Sequence, residues 1–362
     1  MNIDIDLSAY RHNLKHLQAH LAPGKLMAVL KDDAYGHGLE RILETAVAEG
    51  IAQVAVLDIP TGLRVRELLA GKPAQLFAWF FAPGDDFAAA VEAQVDLGVS
   101  NVGVLDMIAS AVAEVPARIH LKIDSGLHRN GASLTQWPAL LQRARALQDA
   151  GTIEVIGVWT HIGEASDVED DRSKEIFELA CQQAREAGLT FTQQHLAASA
   201  ASFARSDFRY DFARVGGFTY GVAPGDGLGP SDLGLIPVMR ATAPVIASQL
   251  GDPENTVRVA AGYLDGVPDW CLDMATGAQA ELPRTGFEVL IADQRLAILR
   301  VEAQSLLVQT PTSNTVALGT EAVLFGSHLA GEPVLQEWAD ALGTVGEELV
   351  VRMGQRGQRT YR

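Results

Sequence analysis

Lys25-Leu26-Met27-Ala28-Val29-Leu30-Lys31-Asp32-Asp33-Ala34-Tyr35-Gly36-His37-Gly38 runs apolar for five residues and then turns charged at once. The run Leu26–Leu30 predicts a short strand buried on both faces, and an amphipathic pattern over Leu39–Ala48 predicts a helix after it. The same alternation continues to about Phe218. Further strands are expected at Gln53–Leu57, Leu76–Trp79, Val95–Val99, Ile119–Ile123, Val155–Thr160, Gln194–Ala197 and Phe212–Val215. Helical patterns lie between them at Asp86–Ala93, Thr135–Asp149 and Val168–Glu186, the last with Gly188 as its expected C-cap. Eight strand-helix units in this length of chain point to a (β/α)₈ barrel of the TIM type, not a doubly wound sheet.

The texture changes beyond Gly221. Ala223-Pro224-Gly225-Asp226-Gly227-Leu228-Gly229-Pro230 cannot continue a helix, and strands separated by turns follow it. They are expected at Met239–Ser248, Thr256–Val259, Phe287–Ile291, Gln294–Val301, Ser305–Gln309 and Ala322–Phe325, with one late helix near Glu332–Ala341. The chain therefore divides into a barrel over residues 1–230 and a mainly β domain over 231–362.

Composition limits the function. With 28 Lys plus Arg against 45 Asp plus Glu, the 362-residue chain carries a formal charge of −17, which argues against binding nucleic acid through its phosphates. Two cysteines make no disulfide framework and no zinc-ligand spacing, so no metal is expected. No window approaches a membrane span, and Met1–Asp6 has alternating charge where a signal peptide needs an apolar core. A cytoplasmic enzyme acting on a small molecule is the expectation.

In a barrel the catalytic groups sit at the carboxyl ends of the strands. Lys31 emerges there directly from an apolar strand. A snorkelling lysine is one reading. A lysine whose amine, partly desolvated, becomes a nucleophile for Schiff-base chemistry is the other. The surrounding motif favours the second. Lys31 with Ala34-Tyr35-Gly36-His37-Gly38 resembles the cofactor-lysine motif of the alanine racemase family, usually Lys-Ala-Asn-Ala-Tyr-Gly-His-Gly. Five more segments resemble that family in order. They are Leu121–Gly131, Trp159-Thr160-His161, His195–Ala201, Arg214–Gly221 and Gly262-Tyr263-Leu264-Asp265-Gly266.

The resemblance implies a pyridoxal 5′-phosphate (PLP) enzyme, an isomerase interconverting L- and D-amino acids, with alanine or another small amino acid as substrate. Lys31 and Tyr263 are implied as the two catalytic bases on opposite faces of the substrate Cα. Cofactor contacts are implied for Lys31, Tyr35, His161, Ser199, Arg214, Gly216 and Gly217. Glycines after a strand can bring backbone N–H groups close to phosphate oxygens, and Ser199 can add a hydroxyl. Ser199 could equally be a helix N-cap. Arg214 would face the pyridine nitrogen; a guanidinium cannot accept a proton, so that nitrogen stays unprotonated. Arg129 would bind the substrate carboxylate. Lys122 matches a lysine carbamylated in many members; an ordinary ion pair with Asp124 is the plainer reading. A homodimer is also implied, with Tyr263 of one subunit completing the site of the other.

The chain departs from the family at Asp32 and Asp33, at Ala198 in place of asparagine, and at Arg300-Val301-Glu302-Ala303-Gln304 where Arg-Val-Cys-Met-Asp is usual. Ala303 stands for a methionine that borders the substrate carboxylate. Glu347-Glu348-Leu349-Val350 aligns with a Tyr-Glu-hydrophobic run. Two alternatives follow: another PLP reaction such as decarboxylation, or a degenerate PLP-binding protein that does not racemise. Keeping Tyr263 opposite Lys31 argues against decarboxylation, which needs no second base.

Overall fold

The structure, a computed structural model, describes residues 1–82, 84–112, 114–225, 228–249, 255–269, 271–272, 279–280, 287–311 and 316–362. The chain forms two compact units. One takes Leu17–Lys31 and Ala46–Gly216, the other Met1–His16, Asp32–Thr45 and Gly217–Arg362.

The first unit holds an eight-stranded parallel sheet of Lys25–Val29, Gln53–Val56, Gln75–Ala78, Asp96–Val99, Ala117–Lys122, Ile153–Trp159, Gln193–His195 and Phe212–Val215. Its edge strands approach each other through Asp211 N–H to Gln194 O at 3.1 Å and Arg214 N–H to Ala197 O at 3.3 Å. This is a nearly closed barrel, as the apolar runs predicted, with each strand within about two residues of its expected place. Gln53, Gln75 and Gln193, first residues of their strands, join side chain to side chain and close one end with a polar layer. Above them the interior is aromatic and histidine-rich: Phe77 meets His120, Trp159 and His195 at ring distances of 4.8, 5.2 and 5.4 Å.

Helices Trp137–Asp149 and Asp167–Glu186 fall where periodicity placed them. Ser166 caps the second by accepting the Glu169 N–H. Its C-cap is Ala187, with Gly188 following in the left-handed region at φ 81°. Helices Leu7–Leu21, Ile59–Leu69 and Val102–Ser110 were not anticipated. Gly62 and Gly103 interrupt the latter two patterns, and the propensity signal drops with them.

The second unit is built on an antiparallel sheet in the order Asn255–Val259, Leu306–Thr310, Gln294–Val301, Glu288–Ile291, Glu321–Phe325, Met239–Gln249, Asn2–Ile5 and Gln358–Tyr361. Only its last pair is parallel. Met239–Gln249 also pairs with Asn255–Val259 past a bulge between Val245 and Ala247, so the sheet curls. The N-terminal strand comes from the segment of alternating charge: Ile3 and Ile5 are fully buried while Asn2 is exposed. Four residues are too few to announce a strand by pattern. Two late helices form, Leu335–Leu342 and Gly346–Gly354, where one was expected. No helix among the described residues is long and apolar enough to cross a membrane.

Candidate active site

Lys31 stands at the carboxyl end of the first barrel strand. The backbone beyond it is unusual. Asp32, Asp33, Ala34 and Tyr35 all lie in the left-handed helical region, with φ between 53° and 56°. Four such non-glycine residues in succession cost about 1–2 kcal/mol each. The turn is held by Gly36 N–H to Asp32 O at 2.9 Å, by Gly38 N–H to Asp33 O at 3.0 Å, and by Asp33 Oδ1, which accepts the Leu39 N–H at 2.8 Å. Asp tolerates this region better than most residues, so the departure at Asp33 fits its backbone. Strain of this kind concentrates where a side chain must be aimed.

Within the barrel unit, four predicted cations act electrostatically on one predicted histidine. Burial lowers the proton affinity of His161 well below the usual imidazole range, and Arg214, Arg129, Lys122 and Lys31 lower it further, in that order. Arg214 is buried, and burial is the main cause of its pKa falling to about 9, still well above neutral pH. Its Nη1 donates to His195 Nδ1 at 2.8 Å and His195 O at 3.0 Å. Its Nη2 donates to Thr160 O at 2.7 Å, Leu196 O at 3.2 Å and His161 Nδ1 at 3.2 Å. A guanidinium only donates, so His161 Nδ1 is bare and its proton sits on Nε2.

Lys122 is buried with its Nζ 4.5 Å over the Trp159 ring, whose other neighbours include the Arg214 guanidinium at 4.9 Å. Burial, then Arg214 and Arg129, push the Lys122 amine down to about 7. Asp124 raises the Lys122 amine against these effects, while its carboxylate is engaged within its own loop. Asp124 accepts the N–H groups of Gly126 and His128 and the His128 Nδ1–H, at 3.1, 3.0 and 3.1 Å. That turn carries Arg129, which is exposed. Ser199 is the first residue of helix Ser199–Ala204, whose N-cap is Ala198, so it is not a cap. Its Oγ instead accepts the Gly216 N–H at 3.3 Å, which leaves the hydroxyl proton for another acceptor.

The other predicted residues lie in the β unit. Tyr35 is buried, its phenol pushed up by burial and then by the charges of Glu347 and Asp32. Gly217 starts a short 3₁₀ turn, and a Cβ there would come within 2.6 Å of Glu347 Oε1. Tyr263, 45% exposed, begins the 3₁₀ turn Tyr263–Asp265. That turn leans on the divergent loop: Tyr263 N–H donates to Glu302 O at 3.0 Å and Leu264 N–H to Ala303 O at 3.1 Å. Gly262 is required at the junction, since a Cβ would lie 2.3 Å from Glu302 O.

Two family models match the chain: the alanine racemase N-terminal domain over residues 5–224 and the C-terminal domain over 247–361. The chain belongs to the alanine racemase family. It is 34% identical to the alanine racemase of Mycobacterium tuberculosis, over 99% of this chain and 95% of that one. The alanine racemase of Salinispora arenicola is 35% identical, with 99% and 97% covered. Its fold matches the crystal structure of alanine racemase from D-cycloserine-producing Streptomyces lavendulae, with a TM-score of 0.90, 30% identity, and 100% and 96% of the two chains covered. Alanine racemase from Streptomyces coelicolor A3(2) superposes with a TM-score of 0.91, also at 30% identity, over 99% and 97%. The activity that follows is that of an amino-acid racemase, an isomerase.

Sequence reading missed several residues that shape this alanine racemase-like site. His195 entered only as part of a motif, yet it is the principal partner of Arg214. Glu164 raises the proton affinity of Arg214 and accepts the Ala201 N–H at 2.7 Å. Trp159, flanked by two cations, looks in sequence like one more strand residue. Glu347 was noted as a departure, but its place against Gly217 required the fold.

Proposed function

We propose that this racemase uses PLP and removes and returns the Cα proton of a small amino acid, alanine or a near homologue, with two bases, Lys31 and Tyr263. The observation that carries this reading is the buried Arg214, hydrogen-bonded to His161 at 3.2 Å and set with Lys122 against the Trp159 ring, in a barrel whose first strand ends at Lys31 and in a chain of net charge −17. Such a cluster is stable when it receives anions, and a phosphorylated cofactor with a substrate carboxylate supplies them. The donor set fits PLP. In the barrel unit Gly216 is buried backbone and Ser199 keeps a hydroxyl proton to give, while contacts from Gly217 and Tyr35 are those the family resemblance implies. Among the described residues the Nε of Arg214 has no acceptor, which leaves it for a pyridine nitrogen.

PLP, when bound, withdraws electrons from the substrate Cα and so acidifies its proton. The chain supplies the rest. Lys31 would hold the cofactor through its amine, and its Nζ would take or return a proton on one face of Cα. Tyr263 of the partner subunit does the same at its phenol oxygen on the other face, helped by His161, whose Nε2–H is held in place by the Arg214 bond at Nδ1. Arg129 binds the carboxylate. Arg214, a guanidinium that can donate but not accept, would face the pyridine nitrogen and leave it without a proton. Lys122, neutral in part near pH 7, is a nucleophile for CO₂; its N–C bond forms as the amine loses a proton, and the carbamate anion orients Arg129. A homodimer sharing the site and a cytoplasmic location belong to the same proposal.

The test is incubation of the PLP-loaded protein with a panel of L-amino acids, followed by chiral chromatography. D-alanine or another small D-amino acid is expected. No D-enantiomer across the panel would overturn the reading. CO₂ release with solvent deuterium entering Cα would make the protein a decarboxylase.

A further inference from the structure

The barrel interior contains a line of hydrogen bonds that runs from its fourth strand to its eighth. Asp96 Oδ2 lies 3.4 Å from His120 Nε2, His120 Nδ1 lies 2.9 Å from His195 Nε2, and His195 Nδ1 lies 2.8 Å from Arg214 Nη1. His120 and His195 are fully buried, and Asp96 is nearly so. Arg118 binds both oxygens of Asp96 from the outer end.

The proton positions along this line are dictated by its two ends. A guanidinium has no lone pair to offer, so His195 Nδ1 must accept. Burial and then the charge of Arg214 depress the His195 pKa, so the ring is neutral with a single proton, and that proton is on Nε2. His195 Nε2 therefore donates to His120 Nδ1, which must in turn be bare. The one proton of His120 then sits on Nε2, facing the Asp96 carboxylate. Burial alone would raise Asp96, but the bonds from His120 and Arg118 outweigh it and hold it ionised. Every bond points the same way, from Arg214 to Asp96. Aligned donors in a dry interior reinforce each other, so the carboxylate is felt at the guanidinium two imidazoles away. Space for this is built into the backbone: opposite His120, a Cβ on Gly157 would come within 2.7 Å of His120 Nδ1.

We infer that His120 is a positioning residue for this racemase: with Asp96 it holds His195 in the Nε2–H tautomer and thereby fixes the orientation of Arg214 toward the cofactor's pyridine nitrogen. This rests on the proposed role of Arg214, but its first test does not. In the cofactor-free protein, nitrogen NMR of ¹⁵N-histidine is expected to show bare Nδ1 and protonated Nε2 for both His120 and His195. The reverse tautomer in either ring would overturn the inference whether or not the protein binds PLP.

The second test compares two variants. In His120→Asn the amide oxygen takes the place of Nδ1 and can accept from His195. In His120→Leu nothing can. His120→Leu is expected to lose the Nε2–H tautomer of His195, to shift the absorbance maximum of bound PLP and to weaken PLP binding about tenfold, the effect of stranding one buried donor. His120→Asn should restore the tautomer, the spectrum and most of the affinity. Equal loss in both variants, or an unshifted spectrum in His120→Leu, would reduce His120 to a packing residue. Should His120→Leu fail to fold, the tautomers of the unaltered chain and the spectrum of His120→Asn decide. A protein that never develops the PLP absorbance band would refute the cofactor reading and leave the tautomer result standing.

Discussion

The backbone N–H of Tyr263 donates to the carbonyl oxygen of Glu302 over 3.0 Å, so the turn bearing the phenol rests on the segment whose side chains depart most from the family. The bond uses main chain, which explains how Glu302, Ala303 and Gln304 can replace other residues without dislodging the turn. The Glu302 carboxylate is occupied by Arg258, by Arg300 at 2.7 Å and by Ser305 at 2.7 Å.

A side chain at Gly262 would break this arrangement. Gly262→Ala places a carbon against the Glu302 and Ala303 carbonyls, 2.3 and 2.6 Å away, and must displace the tyrosine turn. Racemisation is expected to fall by about 100-fold, because a shift near 1 Å at a reacting group costs that much. PLP absorbance should be retained. Steady-state assay alongside a cofactor spectrum separates the two, and an unaffected rate would show that the turn tolerates displacement.

Tyr263→Phe removes the phenol with little change in shape. Proton exchange at Cα should slow by about 10²–10⁴-fold for one enantiomer and far less for the other, as loss of a single general base predicts. Deuterium incorporation from D₂O, started from each enantiomer separately, measures this directly. Equal exchange rates for both enantiomers would remove Tyr263 from the reaction.

Lys122 makes stability depend on pH. Its amine titrates near 7 in the folded chain and near 10.5 when unfolded, so between those values the unfolded chain binds more protons. Stability should rise as pH goes from about 7 to about 10.5, because the cost of burying the charge disappears. Lys122→Met should therefore be more stable than the unaltered chain below pH 7, by a few kcal/mol at most, and the advantage should vanish toward pH 10.5. Denaturant titrations across that range in CO₂-free buffer supply the comparison. Adding ¹³C-bicarbonate should give a carbamate carbon signal that Lys122→Met lacks.

Glu347 places a carboxylate against Gly217, where the phosphate is proposed to bind. Two anions so close repel each other, which costs PLP affinity at neutral pH. Glu347→Gln should bind PLP about five- to tenfold more tightly, an effect that added salt diminishes. Fluorescence titration of the cofactor-free protein would show it. Weaker binding in the variant would mean that the carboxylate serves as an acceptor the site needs.

Much of this architecture was legible in the linear chain. Short apolar runs such as Leu26–Leu30 can be satisfied only by strands covered on both faces, so eight of them with helices between determined the barrel. Lys31 was conspicuous because a charge ending such a run is costly unless used. Period-2 burial at Ile3 and Ile5 was present too, but four residues carry too little pattern to be read alone. The protonation pattern was out of reach. His120 and His195 lie 75 positions apart, and neither is remarkable in sequence. Their tautomers depend on which atoms a closing barrel brings within hydrogen-bond reach of a group that can only donate. The same holds for the depressed amine of Lys122 and for Glu347 against Gly217. Local sequence specifies which segments bury and which residues carry charge; desolvation and the company of other charges, which set how those residues behave, exist only once the strands have closed.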